Sequence, residues 1–342
     1  MVSVKIVFII FFSQFINWKI SKIKVIIYYM KILCLCLSAT IQRTLCFESF
    51  EKGIVNRTSV FREDASGKAL NAARVLNQFE SGSAKVLCPV GKENAGRFLD
   101  LAARDKIDVS YVSVPGNVRE CWTILSAGGS TTEVIADERA DVSQELSEQI
   151  ESSLLLQFSS EIEKCDALLF AGSTPKLFRS DINKKICSIA KSAGKIVLAD
   201  FCGAALRSVL EEKSAVPDFV KINEEELSKS FPGENIAGKI NVLSIKYGNS
   251  FIITRGEEKT IASLRGKDFE CETEKIVPVN TTACGDSFDA GFLYEMLLSG
   301  DFEKALLRGT FAASRNAESV VPGKMEVAAF DASIYLNGSK YR

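Results

Sequence analysis

The sequence predicts an α/β fold: a mostly parallel central sheet with helices on both faces, and a small β-sheet beside it as a lid. Three observations predict it. Strand-like and helix-like stretches alternate from Met30 onward, the pattern of strand–helix–strand crossovers. Two turn-rich, β-rich stretches interrupt that rhythm without helices. The 342 residues, 46% hydrophobic and 25% charged, suffice for one large core, and no repeat or low-complexity linker divides them.

In chain order, "KILCLCL" is a short apolar run and reads as a strand, and "GKALNAARVLNQF" spaces its apolar residues as an amphipathic helix does. "AKVLCPVG" is a strand, "NAGRFLDLAARDK" a helix, "DALLFAG" a strand and "DINKKICSIAKSAG" a helix. The strand "KIVLADF", the helix "GAALRSVLEEK", the strand "DFVKIN", the helix "EEELSKSF" and the strand "SFIITRG" follow. Near the end, "FDAGFLYEMLLSG" and "ALLRGTFAASRNAESV" read as helices. The interruptions, "TIQRTLCFESFEKGIVNRTSVF" and "DVSYVSVPGNVRECWTILSAGGSTTEVIA", mark lid segments 37–61 and 111–137 of a folded unit spanning 30–335, with a tail at 336–342.

Residues 1–29 differ in kind: a short apolar run, "VKIVFIIFFSQFI", precedes the basic, aromatic "NWKISKIKVIIYY". The run lacks a small-residue cleavage site and is short for a membrane span, so it reads as an N-terminal extension or a start assigned too early. Asn56, Asn280 and Asn337 sit in N-x-S/T sequons that secretion would expose to glycosylation, which favours a cytoplasmic location.

Composition narrows the chemistry. A formal net charge of -1 gives no reason to expect nucleic acid or an anionic membrane as partner. The ten cysteines are scattered, with no C-x-x-C pair, and read as reduced buried thiols. With no histidine in the chain, His-based triads and common zinc sites are excluded, and a general base working near neutrality falls to a carboxylate. "GENIAGKI" (Gly233 to Ile240) has the spacing of a phosphate-binding P-loop, but Ile240 stands where Ser or Thr should hold magnesium and no strand precedes it.

"NTTACGDSFDAGF" (Asn280 to Phe292) is the stronger phosphate candidate. Ala283, Cys284 and Gly285 are small residues at a helix start, where unpaired backbone N–H groups and the helix dipole favour an anion. Asp286, in the first turn, could take a proton from a hydroxyl held against that anion. It could equally complement the dipole, worth about 0.3–1 kcal/mol. The residues alone leave both roles open.

That stretch resembles the D-T-x-G-A-G-D signature of the ribokinase-like (phosphofructokinase-B) carbohydrate kinases. "SGKALNAARVL" (Ser66 to Leu76) is similar to that family's G-G-K-G-x-N-x-A loop, and "VGKENAG" (Val90 to Gly96) to its V-G-x-D-x-x-G. "FAGSTP" resembles its G-S-x-P turn, "KINEEEL" its K-P-N-x-x-E-L, and "IITRGEEK" its V-T-x-G-x-x-G. These elements occur in family order from about Met30 to Gly323.

The resemblance implies a three-layer ribokinase-like fold and transfer of the γ-phosphoryl group of ATP, with Mg²⁺, to a sugar hydroxyl. Asp286 would be the general base, and the backbone of Ala283, Cys284 and Gly285 would stabilise the transferring group. Asn223 and Glu226 would organise Mg²⁺ through water. Asn223, Thr254 and Gly256 would border the nucleotide, with Asn316 closing the adenine side. Gln42, Gly67, Lys68, Asn71 and Arg119 would meet the sugar. Lys68 and Arg119 resemble the cations with which one branch, the 1-phosphofructokinases and tagatose-6-phosphate kinases, neutralises a phosphate already on the substrate. The lids would close over the sugar, and two of them paired isologously would make a homodimer.

Departures from the pattern fall mostly at the sugar, with one at the nucleotide loop. Gln42 replaces an acid of that branch, Ser66 and Ala69 replace glycines of the loop, and Lys259 replaces a nucleotide-loop glycine. Three readings follow: a kinase of fructose 1-phosphate, fructose 6-phosphate or tagatose 6-phosphate; a kinase of an unphosphorylated sugar or nucleoside; or a sugar-phosphate-binding pseudokinase.

Overall fold

Strands that are buried on both faces should be apolar throughout rather than alternating, and the central runs of this chain are. In the computed structural model, which describes residues 5–7, 26–28, 30–126, 131–136, 142–233 and 235–325, β1 (Lys5–Val7) and β2 (Ile26–Tyr28) pair antiparallel. The rest of segment 1–29, and the tail 336–342, lie outside the described residues. From β3 (Ile32–Leu35) onward the chain builds one large sheet and one small one.

The large sheet takes β3, β6 (Ala84–Gly91), β7 (Asp108–Val114), β10 (Ala167–Ala171), β11 (Ile196–Asp200), β12 (Phe219–Asn223) and β13 (Ser250–Thr254) in parallel. Its order is β15-β14-β13-β12-β11-β10-β3-β6-β7, with β14 (Thr260–Leu264) and β15 (Lys267–Cys271) as an antiparallel hairpin at one edge. Side-chain alternation sends β3 to two cores. Ile32 and Cys34 join Leu70 of α1 (Lys68–Phe79), Phe98 of α2 (Ala95–Arg104) and Phe288, Phe292 and Leu293 of α8 (Cys284–Ser299). Leu33 and Leu35 join Phe158 of α3 (Gln144–Ile162), Ile186 of α4 (Ile182–Ser192), Leu206 of α5 (Gly203–Leu210) and Leu227 of α6 (Glu224–Ser230). Helices α7 (Ile236–Tyr247) and α9 (Phe302–Ala317) complete the outer layers, one on each face. The three-layer α/β architecture read from the sequence is the one formed. No helix among the described residues is long and apolar enough to cross a membrane.

Strand order runs one way from β3 to β7 and the other way from β10 to β13, so a crevice opens at the carboxyl ends between β3 and β10, the usual ligand position in such sheets. Over it stands the small sheet, in the order β5-β4-β8-β9. β4 (Thr40–Phe47) pairs antiparallel with β5 (Phe61–Ser66) and parallel with β8 (Arg119–Ser126), and β8 pairs antiparallel with β9 (Thr131–Ala136).

Two lid boundaries need correction. Residues 111–114 belong to β7, which pairs with β6 because its apolar positions face the large sheet's core, so the second lid segment begins at Arg119. The first continues past 61 to Ser66, where β5 runs through Gly67 straight into α1. Residues 127–130 and 137 of the expected lid lie outside the described residues. The near-miss P-loop is a helix start: Asn235 caps α7 by accepting from Gly238 N at 2.9 Å, and the preceding element is a helix.

Candidate active site

Most of the expected site residues converge on one cleft of about 1160 Å³ between the lid and the carboxyl ends of the strands. Gln42 and Arg119 come from the lid, Gly67, Lys68 and Asn71 from the start of α1, Asn223 and Thr254 from the ends of β12 and β13, Glu226 from the first turn of α6 and Gly256 from the turn after β13. Ala283, Cys284, Gly285 and Asp286 close it from the start of α8.

Asp286 is buried in the first turn of α8. Its Oδ2 accepts from Asn71 Nδ2 at 2.8 Å. The amide cannot turn over, because Arg74 Nη1 and Ser66 Oγ both donate to Asn71 Oδ1, each at 3.0 Å. Asn71 therefore orients the acid as well as lining the cleft. Burial is the main cause that lifts the Asp286 carboxyl to about 6, with Lys68 working against it and Asp200 with it. That value suits a base near neutrality.

Three positions show why the backbone is built from small residues. Gly67 has φ 121°, and a Cβ there would lie 2.8 Å from Cys36 Sγ, so only glycine fits the junction between β5 and α1. A Cβ on Gly285 would lie 2.7 Å from Lys221 Nζ. Ala283, the residue before α8, takes a left-handed conformation (φ 66°, ψ 12°) at the position where the family motif has glycine. Such a conformation costs a non-glycine residue roughly 1–2 kcal/mol. Ala283→Gly should therefore raise thermal stability by about 1 kcal/mol, the added chain entropy of glycine offsetting part of the relief. Thermal melts check this, and a lower melting temperature would mean the loop does not hold this conformation.

Behind the cleft lies a charge network that the sequence reading did not include. Lys68 Nζ donates to Asp200 Oδ1 at 2.9 Å and to Glu226 Oε1 at 3.0 Å. Burial works against its charge, but Asp200 and Glu226 hold the ammonium above its ordinary pKa. Lys221 Nζ lies 3.4 Å from Asp200 Oδ2 and 3.7 Å from Asp289 Oδ1. Asp200 ends strand β11, where an acid faces a ligand crevice, and Asp289 follows Asp286 by three residues on one helix face; those were the available signals. Arg119 is placed differently. Its Nε donates to Thr40 Oγ1 at 2.6 Å, and among the described residues it meets no carboxylate within ion-pair range.

Asn316 needs correction. It is fully buried and does not line the cleft. Its Nδ2 donates to Thr282 O at 2.8 Å, and its Oδ1 accepts from Gly323 N at 2.6 Å, so it fastens the loop before α8. Thr310, Ala313 and Ala317 of α9 face the cleft instead. Burial pushes the Cys284 thiol up to about 11, which disfavours its thiolate.

For a hard divalent cation, Asn223 and Glu226 offer amide and carboxylate oxygens at the cleft. Glu226 Oε2 already accepts from Asn223 N at 2.9 Å and Oε1 from Lys68, while Asn223 Oδ1 accepts from Glu226 N at 2.8 Å. Each oxygen keeps one further lone-pair direction, which fits contact through water.

A lid over a carboxyl-end crevice, with a helix start and a buried acid beside it, suits a phosphotransferase that closes over its acceptor. The match to known proteins agrees: the model of the pfkB family carbohydrate kinases matches residues 31–324, and the chain belongs to that family. Among solved structures, a possible 1-phosphofructokinase from Thermotoga maritima superposes with a TM-score of 0.76 at 18% identity, over 86% of this chain and 94% of that one. Phosphofructokinase-2 from Escherichia coli, solved with substrates and products, gives 0.73 at 17% identity over 86% and 95%. At these identities the likeness shows the fold.

Proposed function

We propose that this sugar kinase transfers the γ-phosphoryl group of ATP to a ketohexose that already carries a phosphate, such as fructose 1-phosphate, fructose 6-phosphate or tagatose 6-phosphate. The observation that carries this reading is the meeting, in one cleft, of a buried carboxylate poised near pH 6 with a lid cation, Arg119, that no carboxylate among the described residues holds. Asp286 takes the proton of the acceptor hydroxyl, the freed oxygen attacks the γ-phosphorus, and ADP leaves. The N–H groups of residues 283–285 receive the charge on the transferring oxygens. Asn223 and Glu226 would hold Mg²⁺ through water, and the ion would neutralise charge on the nucleotide phosphates. Thr254 and Gly256 border the nucleotide. Gln42 Nε2 donates to Thr123 Oγ1, leaving its Oε1 to accept from a substrate hydroxyl where the relatives use an acid. All ten cysteines are free, in keeping with a reducing cytoplasm.

A second reading has an observation in its favour. Lys68 is held by Asp200 and Glu226, so among the described lid residues Arg119 alone lines the cleft as a cation, which also suits an unphosphorylated sugar. A coupled assay of ADP release over sugars and their phosphates decides: turnover confined to free sugars removes the phosphohexose reading, and no turnover with any of them makes the chain a binding protein.

The lid should close over the bound sugar and exclude water as an acceptor. Its exposed apolar residues, among them Ile54, Val55, Phe61 and Ile135, suit isologous pairing of two lids in a homodimer. Hydrogen exchange at 40–66 and 119–136 should slow when sugar and ATP bind together. Unchanged exchange there would refute closure.

A further inference from the structure

Asp289 has no place in the chemistry described so far, yet it lies fully buried one turn beyond Asp286. Neither of its oxygens meets a hydrogen-bond donor. Carboxylate oxygens of Asp200, Asp286 and Asp289 lie within 4.8 Å of one another. Facing these three acids are two ammonium groups: Lys221 of β12, 3.7 Å from Asp289, and Lys68 of α1, which Asp200 shares with Glu226. The Cys34 thiol approaches Asp289 from β3 and is held protonated by burial. Charged side chains of the neighbouring helices turn elsewhere, Arg74 to Asp105, Arg308 to Glu295 and Arg315 to Glu274.

With every acid ionised, the three acids would outnumber the two ammonium groups, one of them shared with Glu226, and leave at least one negative charge uncompensated on a carboxylate without a donor. That is the costliest arrangement for a buried acid. A metal ion or a proton could cancel it. The metal is disfavoured, because Lys221 already stands between Asp200 and Asp289 and would repel a second cation at that range. A proton meets no such repulsion, and it gives Asp289 a hydrogen bond to donate.

We propose that Asp289 is a positioning residue that carries a proton and shares it with Asp200, fixing Asp200 between Lys68 and Lys221. Lys221 is thereby kept at the back of the anion site, against Gly285, with its charge turned toward the transferring phosphoryl group. The proton sits on Asp289 rather than on its partner: burial drives Asp289 well above the usual carboxylate range, whereas Lys221 and Lys68 overcome burial to hold Asp200 below it.

The inference rests on Asp286 as base only for its kinetic arm, and the test separates the two. Infrared spectra of the wild-type protein should keep a protonated-carboxyl band above the pH at which Asp286 ionises, and Asp289→Asn should lose it. The Asn variant should leave the acid limb of kcat/KM in place, since it replaces one neutral group by another. Asp289→Leu, which cannot donate, should lower kcat by roughly ten- to a hundredfold at little change in KM, and Asp289→Asn should recover most of that loss. Absence of the band from the wild type overturns the proposal, whatever Asp286 does and even if the variants fail to fold. So does an acid limb moved to lower pH in Asp289→Asn, which would reveal a charge on Asp289, or Mn²⁺ binding to the ligand-free protein that Asp289→Asn abolishes. A band that behaves as expected while Asp286→Asn keeps full turnover would sink the base assignment and leave the shared proton standing.

Discussion

Asp286→Asn should fold, lose about 10²–10⁴-fold in kcat and unfold less readily than the wild type at neutral pH. The two effects have one cause. Burial holds the Asp286 carboxyl at about 6, so ionising it inside the fold costs about 3 kcal/mol relative to the unfolded chain. A carboxyl whose folded value is raised contributes its stabilising share fully below the unfolded value, and that share is lost as pH rises through about 6. Wild-type stability should therefore decline between the two values, and the variant should not show this decline. Asparagine keeps an oxygen for Asn71 Nδ2 but cannot take a proton. In the wild type, kcat/KM should fall below about pH 6 as the base protonates. Wild-type turnover in Asp286→Asn would remove it from the reaction, and a variant no more stable than the wild type would mean the acid is better solvated than its burial indicates.

The layers of the fold were legible in the sequence because parallel strands buried on both faces leave uninterrupted apolar runs, and "DALLFAG" and "KIVLADF" are such runs. The hairpin β14–β15 was less visible. Its strand "KDFEC" is mostly exposed and charged, so neither apolar content nor clean alternation marks it. Helix α3 carries Leu154, Leu155 and Leu156 in a row, of which Leu156 is 76% exposed, and that blurs the helical stripe. At the site, motif spacing located Asp286 and Asn71 but not the bond between them, which joins residues 215 positions apart. Asp200 and Asp289 gave only weak signals for a similar reason. Each is an ordinary acid at a strand end or in a helix, and only the packing of β11 against β12 and α8 gives them Lys221 in common. Asn316 misled because the family resemblance carried an adenine contact onto it, whereas the fold uses it to tie down a loop.

Lys68→Met and Arg119→Met should have different effects, although the family resemblance gives both the substrate phosphate. Lys68 is engaged by Asp200, which is fully buried, and by Glu226. Its loss leaves those acids one cation short beside Asp286. Breaking a buried pair on one side costs about 3–5 kcal/mol, which partial exposure of the lysine reduces to roughly 1–3 kcal/mol. Lys68→Met should therefore lower both stability and kcat, for free and phosphorylated sugars alike. Among the described residues Arg119 has a side-chain hydrogen bond to Thr40 and no ion pair. Removing it should leave stability nearly unchanged and raise the KM for a sugar phosphate about ten- to a hundredfold, the worth of one charge-assisted hydrogen bond of roughly 1.5–3 kcal/mol. Activity on the free sugar should change little, and added salt should weaken wild-type binding of the phosphate in the same direction, since a partly exposed ion pair is screened. If Lys68→Met also raises KM for the phosphorylated sugar alone, the lysine leaves its acids to meet the substrate, as the resemblance implies. If Arg119→Met impairs free and phosphorylated sugars in equal proportion, the lid arginine serves only the fold, and the unphosphorylated-sugar reading takes over.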